Sequence, residues 1–415
     1  MELLSLFTRK GWVNDSIPIC TDTRYLKPGC IFFALKGATF DGNNYAQQAL
    51  EQGAAAVVVD NPKCVPDADE RYILVADVLK ELQLLARDWR RRLAIPIIGI
   101  TGTNGKTTTK ELMAAVLRTK YNLYATHGNL NNAIGVPLTL LQLSKEHQLA
   151  IVEMGASHPG DIKELVEIAE PNYGLITNVG QAHLQGFGSF EGVQRTKQEL
   201  YDYLVAHKGI VFRNADNLFL EQMLMRAKGQ SSAKEVLYHT GTMPEGTHLV
   251  GNYNAENIAA ALCVGEYFGV NRQDALKAVC AYVPANDRSM ALQTADNQLV
   301  VDAYNANPTS MKAALESFAE IDFPLEQKVV ILGDMLELGA ESLHLHQDIV
   351  NCLEQQGIKT AFLIGEEFAK TNNPYTTLPT TDQLKDYLAA HPLRNKLILL
   401  KGSHGMHLET LKDVL

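Results

Sequence analysis

Positive charge is in short supply in this 415-residue chain: 37 lysines and arginines face 47 acids, for a net charge of −10. That argues against a nucleic-acid partner, because neutralising a phosphate backbone needs concentrated cations. The longest basic run, Arg90-Arg91-Arg92, reads as a solvated helix face. Cysteine is sparse too. Cys20, Cys30, Cys64, Cys263, Cys280 and Cys352 lie far apart without a Cys-x-x-Cys pair, which argues against a disulfide scaffold or a structural zinc site and leaves reduced, mostly buried thiols. No apolar run approaches the ~18 residues of a membrane span. Arg9 and Lys10 come too early for the hydrophobic region of an export signal, so a cytoplasmic protein without a membrane span is expected. The 30 glycines and 15 prolines are scattered as punctuation, which sets aside collagen-like and low-complexity readings.

What is present is an ordinary globular composition, 46% hydrophobic and 20% charged, in a length that suggests two to three domains. Two apolar runs, Ile31–Leu35 and Ala55–Val59, flank a helix-like stretch from Asn44 to Gln52 and make a compact β-α-β unit. Near Pro96 the texture changes. Buried-strand patterns then recur with polar residues at their carboxyl ends: Ile97–Ile100, Leu149–Val152 before Glu153, and Gly174–Thr177 before Asn178. A further set follows: Leu299–Val301 before Asp302, Val329–Leu332 before Gly333-Asp334, Ala361–Ile364 before Gly365, and Leu397–Leu400 before Lys401. Helical patterns separate the strands, so the fold class is α/β with largely parallel sheets, and ligands belong outside the carboxyl ends of the strands. Domains of 1–88, 89–284 and 285–415 are expected, with no internal repeat and no long linker.

The strongest local signal is Gly99-Ile100-Thr101-Gly102-Thr103-Asn104-Gly105-Lys106-Thr107-Thr108. A glycine-rich turn between a buried strand and a helix lets backbone N–H groups point at phosphate oxygens, and the helix N-terminus adds partial positive charge. Lys106, expected as an exposed loop cation, faces the β- and γ-phosphates, and the Thr107 hydroxyl ligates Mg²⁺. The loop is shorter than the common GxxxxGK[ST] form, and by itself it means a nucleoside triphosphate with Mg²⁺ without naming the reaction. A GTPase would carry Asn-Lys-x-Asp. The Asn395-Lys396 pair continues as Leu397-Ile398 instead.

Glu153, at a strand end, is placed to share the Mg²⁺ with Thr107. His183, just past the next strand, is a candidate ligand of a second metal ion, an unusual choice since Mg²⁺ prefers oxygen. Lys197, on the helix after Phe190, reads by itself as a surface lysine.

Taken together these residues resemble the Mur ligases, ATP-dependent amide-forming enzymes of peptidoglycan precursor synthesis, over nearly the whole chain and in matching order. The resemblance implies a small N-terminal α/β domain for a UDP-sugar, a central P-loop ATPase-like parallel sheet and a C-terminal Rossmann-like α/β domain. Asp22-Thr23-Arg24, the Lys27–Gly37 segment and Phe40-Asp41-Gly42 look like the UDP-sugar site, which implicates Thr23, Arg24, Lys36 and Asp41. Gly102, Thr103, Asn104, Gly105, Lys106, Thr107 and Thr108 match the ATP loop. Gly128–Pro137, with Asn129, Asn131 and Asn132, is similar to the segment beside the reacting carboxylate.

Glu153–Ala156 and Asn178–His183 resemble the metal-binding stretches. Lys197 matches a carbamylated lysine whose oxygens hold a second Mg²⁺, although Gln198 replaces the usual glycine after it. Asn254 and Asn257 match adenine-facing asparagines. Arg288, preceded by Asp287, matches a nucleotide-contacting arginine, and Asp302 a ribose-side acid. The implied catalytic set is Lys106, Lys197, His183 and Glu153.

Within the family, Tyr304-Asn305-Ala306-Asn307-Pro308-Thr309-Ser310-Met311 points to the members that add D-alanyl-D-alanine, with Tyr304, Asn305 and Asn307 on the substrate side. The residues alone leave Asn305 and Asn307, ahead of Pro308, equally open to capping a helix. Leu332–Gly339 is a less selective family stretch, and Lys401-Gly402-Ser403-His404 resembles a motif that more often ends in arginine. The expected partners are ATP, UDP-N-acetylmuramoyl-tripeptide and D-alanyl-D-alanine, the expected cofactor is Mg²⁺ as two ions, and a monomer is expected. Siblings adding another amino acid, or acting on folate or cyanophycin, would share the ATP loop. An inactive homologue would lack Lys106, Glu153 or His183, and all three are present. The domains must close around one ATP, bringing Asp302 and Tyr304-Asn305 onto the central domain.

Overall fold

The computed structural model describes residues 2–13, 15–229, 233–284 and 288–415. Its frame is three sheets that follow one another along the chain. The first has four parallel strands in sequence order, β1 (Ile19–Cys20), β2 (Ile31–Phe33), β3 (Ala56–Val59) and β4 (Tyr72–Leu74). The second holds β5 (Ile97–Thr101), β6 (Leu123–Ala125), β7 (Leu149–Glu153), β8 (Tyr173–Ile176), β9 (Ile210–Asn214) and β10 (Lys234–Tyr238) in the order β10-β9-β8-β5-β7-β6, every pair parallel. The third orders β11 (Met290–Gln293), β12 (Gln298–Asp302), β13 (Lys328–Gly333), β14 (Thr360–Ile364), β15 (Thr376–Leu378) and β16 (Leu397–Lys401) as β11-β12-β16-β13-β14-β15. Its one antiparallel pair joins the β11 edge to β12.

Central strands β5, β7, β13 and β16 are buried at every position. Helices cover both faces of a parallel sheet, and that is why these strands read as unbroken apolar runs. In the second sheet β5 sits between β7 and β8, so its direction of winding reverses there. The loops leaving the carboxyl ends of all three strands open onto the same crevice.

The helix Val78–Leu93 joins the first two sheets. Asp77 caps its N-terminus by accepting from Lys80 N–H, and Ala94 ends it with left-handed backbone at φ 54°. Its apolar face belongs to a single hydrophobic cluster that runs from Phe7, Ile31 and Phe33 of the N-terminal part through Leu82 and Trp89 to Val136, Leu165 and Leu200 of the central part. Gln83 donates to Glu164, and Trp89 Nε1 to the Leu143 carbonyl at 2.9 Å.

Within the arginine run, Arg91 and Arg92 are exposed as expected and Arg90 is not. Arg90 is buried and donates to the carbonyls of Ala169 and Glu170 and to Asn172 Oδ1, while Arg91 grips Glu170. The carbonyls at the end of the Asp161–Ala169 helix need donors, and Arg90 supplies them. Residue 88 therefore lies inside a helix, and the expected junction at 284/285 adjoins residues 285–287, outside the described ones.

The C-terminal part has its own hydrophobic clusters on either side of β12, β13 and β16. It meets the central part through Leu184, Val250 and Tyr253, which pack against one of these clusters, and through polar contacts: Asn307 with Asn104, Glu337 with His183, Thr309 with Gln181, and Glu320 with Asn252. No helix among the described residues is long and apolar enough to cross a membrane. The cysteines carry free thiols, Cys30 and Cys352 buried and the other four half-buried.

Candidate active site

A cleft of about 760 Å³ lies where the central and C-terminal parts face each other. Its floor is the loop after β5. The helix Lys106–Leu117 begins directly at Lys106, and its polar first turn serves the loop. Gly105, at φ 77°, forms its N-cap, and a Cβ there would run into Asn257 Oδ1. Gly102 likewise leaves no room for a side chain beside Thr177.

The strand-end residues of β8 hold the loop in shape. Thr103 N–H donates to the Asn178 carbonyl and Asn104 N–H to Asn178 Oδ1, both at 2.9 Å, while the Thr177 hydroxyl donates to the Asn104 carbonyl at 2.6 Å. Lys106 is not the exposed cation expected. It is half-buried, with its ammonium turned back onto the carbonyls of Gly102 (2.9 Å) and Thr103 (3.1 Å). Burial holds its pKa below the ordinary lysine value. Glu153 pulls it back up, and Arg288, across the cleft, pushes it further down.

Glu153 is 1% exposed at the end of β7. Its Oε1 accepts from the Thr107 hydroxyl at 3.2 Å and from Asn131 Nδ2 at 2.8 Å. Its Oε2 is buried without a hydrogen bond, with Lys110 Nζ at 3.5 Å. Two oxygen donors at the start of a helix, one of them a carboxylate with an unsatisfied oxygen, form the donor set that Mg²⁺ prefers.

The other expected metal residues have different partners. His183, at left-handed φ 50°, faces Glu337 of the C-terminal part through Nδ1. Lys197 is 2% exposed, with its ammonium 5.5 Å from the centre of the Phe187 ring. It is no surface lysine, and burial together with the charge on Lys106 holds its pKa well below the usual value.

Around this core the cleft gathers Asn129, Asn131 and Asn132 from the loop before the Gly135–Leu141 helix, where Asn132 Oδ1 accepts from Gly135 N–H. Asn254 and Asn257, buried on the first turn of the helix Asn254–Tyr267, form a second wall. Asn257 Nδ2 donates to Asn254 Oδ1, and the Thr109 hydroxyl donates to Asn257 Oδ1.

From the C-terminal part come Arg288, Asp302, Tyr304 and Asn305. Asn307 lies behind them and does two jobs. Its Oδ1 accepts from Ser310 N–H, capping the Pro308–Glu320 helix, and its Nδ2 donates to Asn104 Oδ1 at 2.7 Å. Thr23, Arg24, Lys36 and Asp41 are not among the cleft residues. Arg24 pairs with Asp22, Lys36 with Asp60, and Asp41 accepts from Asn43.

Two buried cations in the site had no role at the level of sequence. Lys401 lies opposite Asp302 in the β12/β16 ladder and donates to its Oδ2 at 2.5 Å. Lys110, one turn beyond Lys106, lies beside Glu153. The signal for Lys401 was its position directly after a buried strand. Lys110 looked like any polar helix residue.

Family models match the chain in three segments: "Mur ligase family, catalytic domain" over residues 18–90, "Mur ligase middle domain" over 100–265 and "Mur ligase, glutamate ligase domain" over 287–404. The sequence is 35% identical to the UDP-N-acetylmuramoyl-tripeptide–D-alanyl-D-alanine ligase of Bacillus subtilis (strain 168), an alignment covering 96% of this chain and 93% of that one. It is 36% identical to the enzyme of the same name from Escherichia coli (strain K12), over 84% of this chain and 81% of that one. Among solved structures, MurF from Acinetobacter baumannii superposes with a TM-score of 0.84 at 29% identity, covering 99% and 97% of the two chains. MurF ligase from Thermotoga maritima, in complex with ADP, gives 0.83 at 25% identity and 96% of each chain.

Proposed function

The chain belongs to the Mur ligase family, and from that premise we propose that it joins D-alanyl-D-alanine to UDP-N-acetylmuramoyl-tripeptide at the expense of ATP. The observation that carries the reading is the meeting of the Gly102–Thr108 loop with Tyr304-Asn305 and Asp302 across one cleft. A triphosphate site alone would serve many reactions. A triphosphate site facing this C-terminal motif serves an acyl transfer.

The reaction has two steps. A tripeptide carboxylate oxygen attacks the γ-phosphorus of ATP, giving an acyl phosphate and ADP. The neutral amine of D-alanyl-D-alanine then attacks the acyl carbon, phosphate leaves, and the nitrogen sheds a proton to give the amide. Lys106 and the backbone N–H groups of Gly105 to Thr107, at the start of the helix, neutralise the charge that builds on the transferring phosphoryl group. For Lys106 this means leaving the carbonyls of Gly102 and Thr103 for a phosphate oxygen. Asn129, Asn131 and Asn132 orient the tripeptide carboxylate. Asn254 and Asn257 face the adenine, Arg288 the phosphates and Asp302 the ribose. Thr23, Arg24, Lys36 and Asp41 hold the UDP end, and Tyr304, Asn305 and Asn307 the dipeptide side.

Thr107 and Glu153 would hold one Mg²⁺, with His183 and Lys197 serving a second. Bound there, the ions supply positive charge against the triphosphate and the acyl phosphate. Lys197, whose pKa burial holds well below the ordinary lysine value, gives up its ammonium proton more readily than an exposed lysine and is suited to add CO₂ and lose a further proton, forming a carbamate. We assign the reaction to the cytoplasm, carried out by a monomer.

The deciding experiment measures phosphate release with ATP, Mg²⁺ and UDP-N-acetylmuramoyl-tripeptide, with and without D-alanyl-D-alanine. Dependence on the dipeptide, and a product heavier by one dipeptide less water, is the expected result. Turnover with a single amino acid instead would move the chain to a sibling ligase.

A further inference from the structure

Arg288 reaches the cleft at the start of the C-terminal part, and its guanidinium carbon lies 3.6 Å from the centre of the Tyr304 ring. Its Nε is buried without a hydrogen-bond acceptor. Tyr304 has a second flat neighbour: the His404 ring lies within 25° of parallel to it, centroids 5.7 Å apart, and His404 meets His407 at 6.0 Å. The three residues come from three elements, ahead of β11, after β12 and after β16. They meet only because those strands are adjacent in the third sheet.

An unsupported arginine facing Lys106 across the cleft would swing into solvent, since two like charges repel and the side chain has much rotamer freedom to regain. A ring beneath its guanidinium opposes both effects, because stacking and cation–π attraction act on the charged, planar form. The arginine is then held in place before an anion arrives, and the buried Nε is left ready to donate to it.

We propose that Tyr304 and His404 are positioning residues of the ligase: their stacked rings hold the Arg288 guanidinium toward the phosphates of the nucleotide, opposite Lys106. The inference rests on the reading of Arg288 as a nucleotide contact, and it moves Tyr304 from the dipeptide side of the site to the ATP side.

The test compares Arg288→Ala, Tyr304→Ala, Tyr304→Phe, His404→Ala, His404→Phe and the Arg288→Ala/Tyr304→Ala double variant. Affinity for a non-hydrolysable ATP analogue is measured by calorimetry, and KM is measured for each substrate. Tyr304→Ala should weaken the analogue about tenfold, the order of a desolvated cation–π contact, while the KM for D-alanyl-D-alanine stays put. Tyr304→Phe should restore affinity because the ring acts and the hydroxyl does not. His404→Ala should show a smaller loss that His404→Phe recovers. The double variant should bind no worse than Arg288→Ala alone, the signature of one residue acting through another.

Additive losses in the double variant, or a Tyr304→Ala defect confined to the KM of the dipeptide, would overturn the inference and leave Arg288 as a nucleotide contact. Unchanged affinity in Arg288→Ala would instead remove that underlying reading. Circular dichroism of each variant separates loss of positioning from loss of fold, and Tyr304→Phe keeps the test open if Tyr304→Ala fails to fold.

Discussion

Lys110 Nζ lies 3.5 Å from Glu153 Oε2, and neither side chain is more than 1% exposed. The ammonium is within ion-pair range without forming a hydrogen bond, and Glu111 Oε1 is 3.1 Å from its other side. Lys110→Met would leave the Glu153 carboxylate buried with one partner fewer. Breaking a buried pair from one side costs about 3–5 kcal/mol, and urea titration should show a loss of that order. Adding Mg²⁺ should recover part of the loss, because a cation at Thr107 and Glu153 restores the missing charge. A variant as stable as the parent in metal-free buffer would contradict the pairing.

Lys106→Ala should be a catalytic lesion with little structural cost. The side chain gives up two hydrogen bonds to loop carbonyls and no core packing. Removing a cation aimed at transferring charge costs about 10²–10³ in kcat, which phosphate-release assays would read. Thermal unfolding should be nearly unchanged.

Asn307 separates two roles that a single alanine substitution would confuse. Asn307→Asp keeps an oxygen to cap Ser310 N–H but cannot donate to Asn104 Oδ1. It should unfold close to the parent and turn over more slowly. Asn307→Ala loses the cap as well and should cost a further ~1 kcal/mol of stability.

Lys197 carries the pH prediction. Burial lowers its pKa in the folded protein, so between that value and the ordinary 10.5 the unfolded chain binds more protons. Its burial therefore destabilises the fold fully below the folded pKa, and the penalty fades as pH rises toward 10.5. Lys197→Met should be the more stable protein at neutral pH, because it removes the cost of burying the ammonium. That margin should shrink in alkaline buffer. Its activity should fall, with partial rescue by short carboxylates if a carbamate is the working form. Melting curves across pH, with and without added bicarbonate, check both.

Most of the buried parallel strands were legible because both faces of Val329–Leu332 or Ile97–Ile100 are covered, leaving no polar alternation to dilute the pattern. Ile210–Asn214, buried at all but its first residue, ends in Arg213-Asn214 and was not read. Leu123–Ala125, Tyr72–Leu74 and Thr376–Leu378 were not, since three-residue edge strands are too short to show a period. The phosphate loop was legible because its chemistry is contiguous. The pairing of Lys401 with Asp302 spans 99 residues and exists only once β12 and β16 are adjacent. Arg90 misled for a related reason: three arginines in a row look solvated until a second helix presents its bare carbonyls to one of them.

The helix Val78–Leu93 welds the first two sheets through one shared hydrophobic cluster and through Trp89 and Arg90, whereas the third sheet has separate clusters and joins the central part through Leu184, Val250 and Tyr253 and polar side chains at the rim of the cleft. On the proposed function, the two ends of the UDP-linked donor rest on sheets joined by that one packed helix. The helix then acts as a gauge, setting the span from nucleotide end to reacting carboxylate by apolar packing.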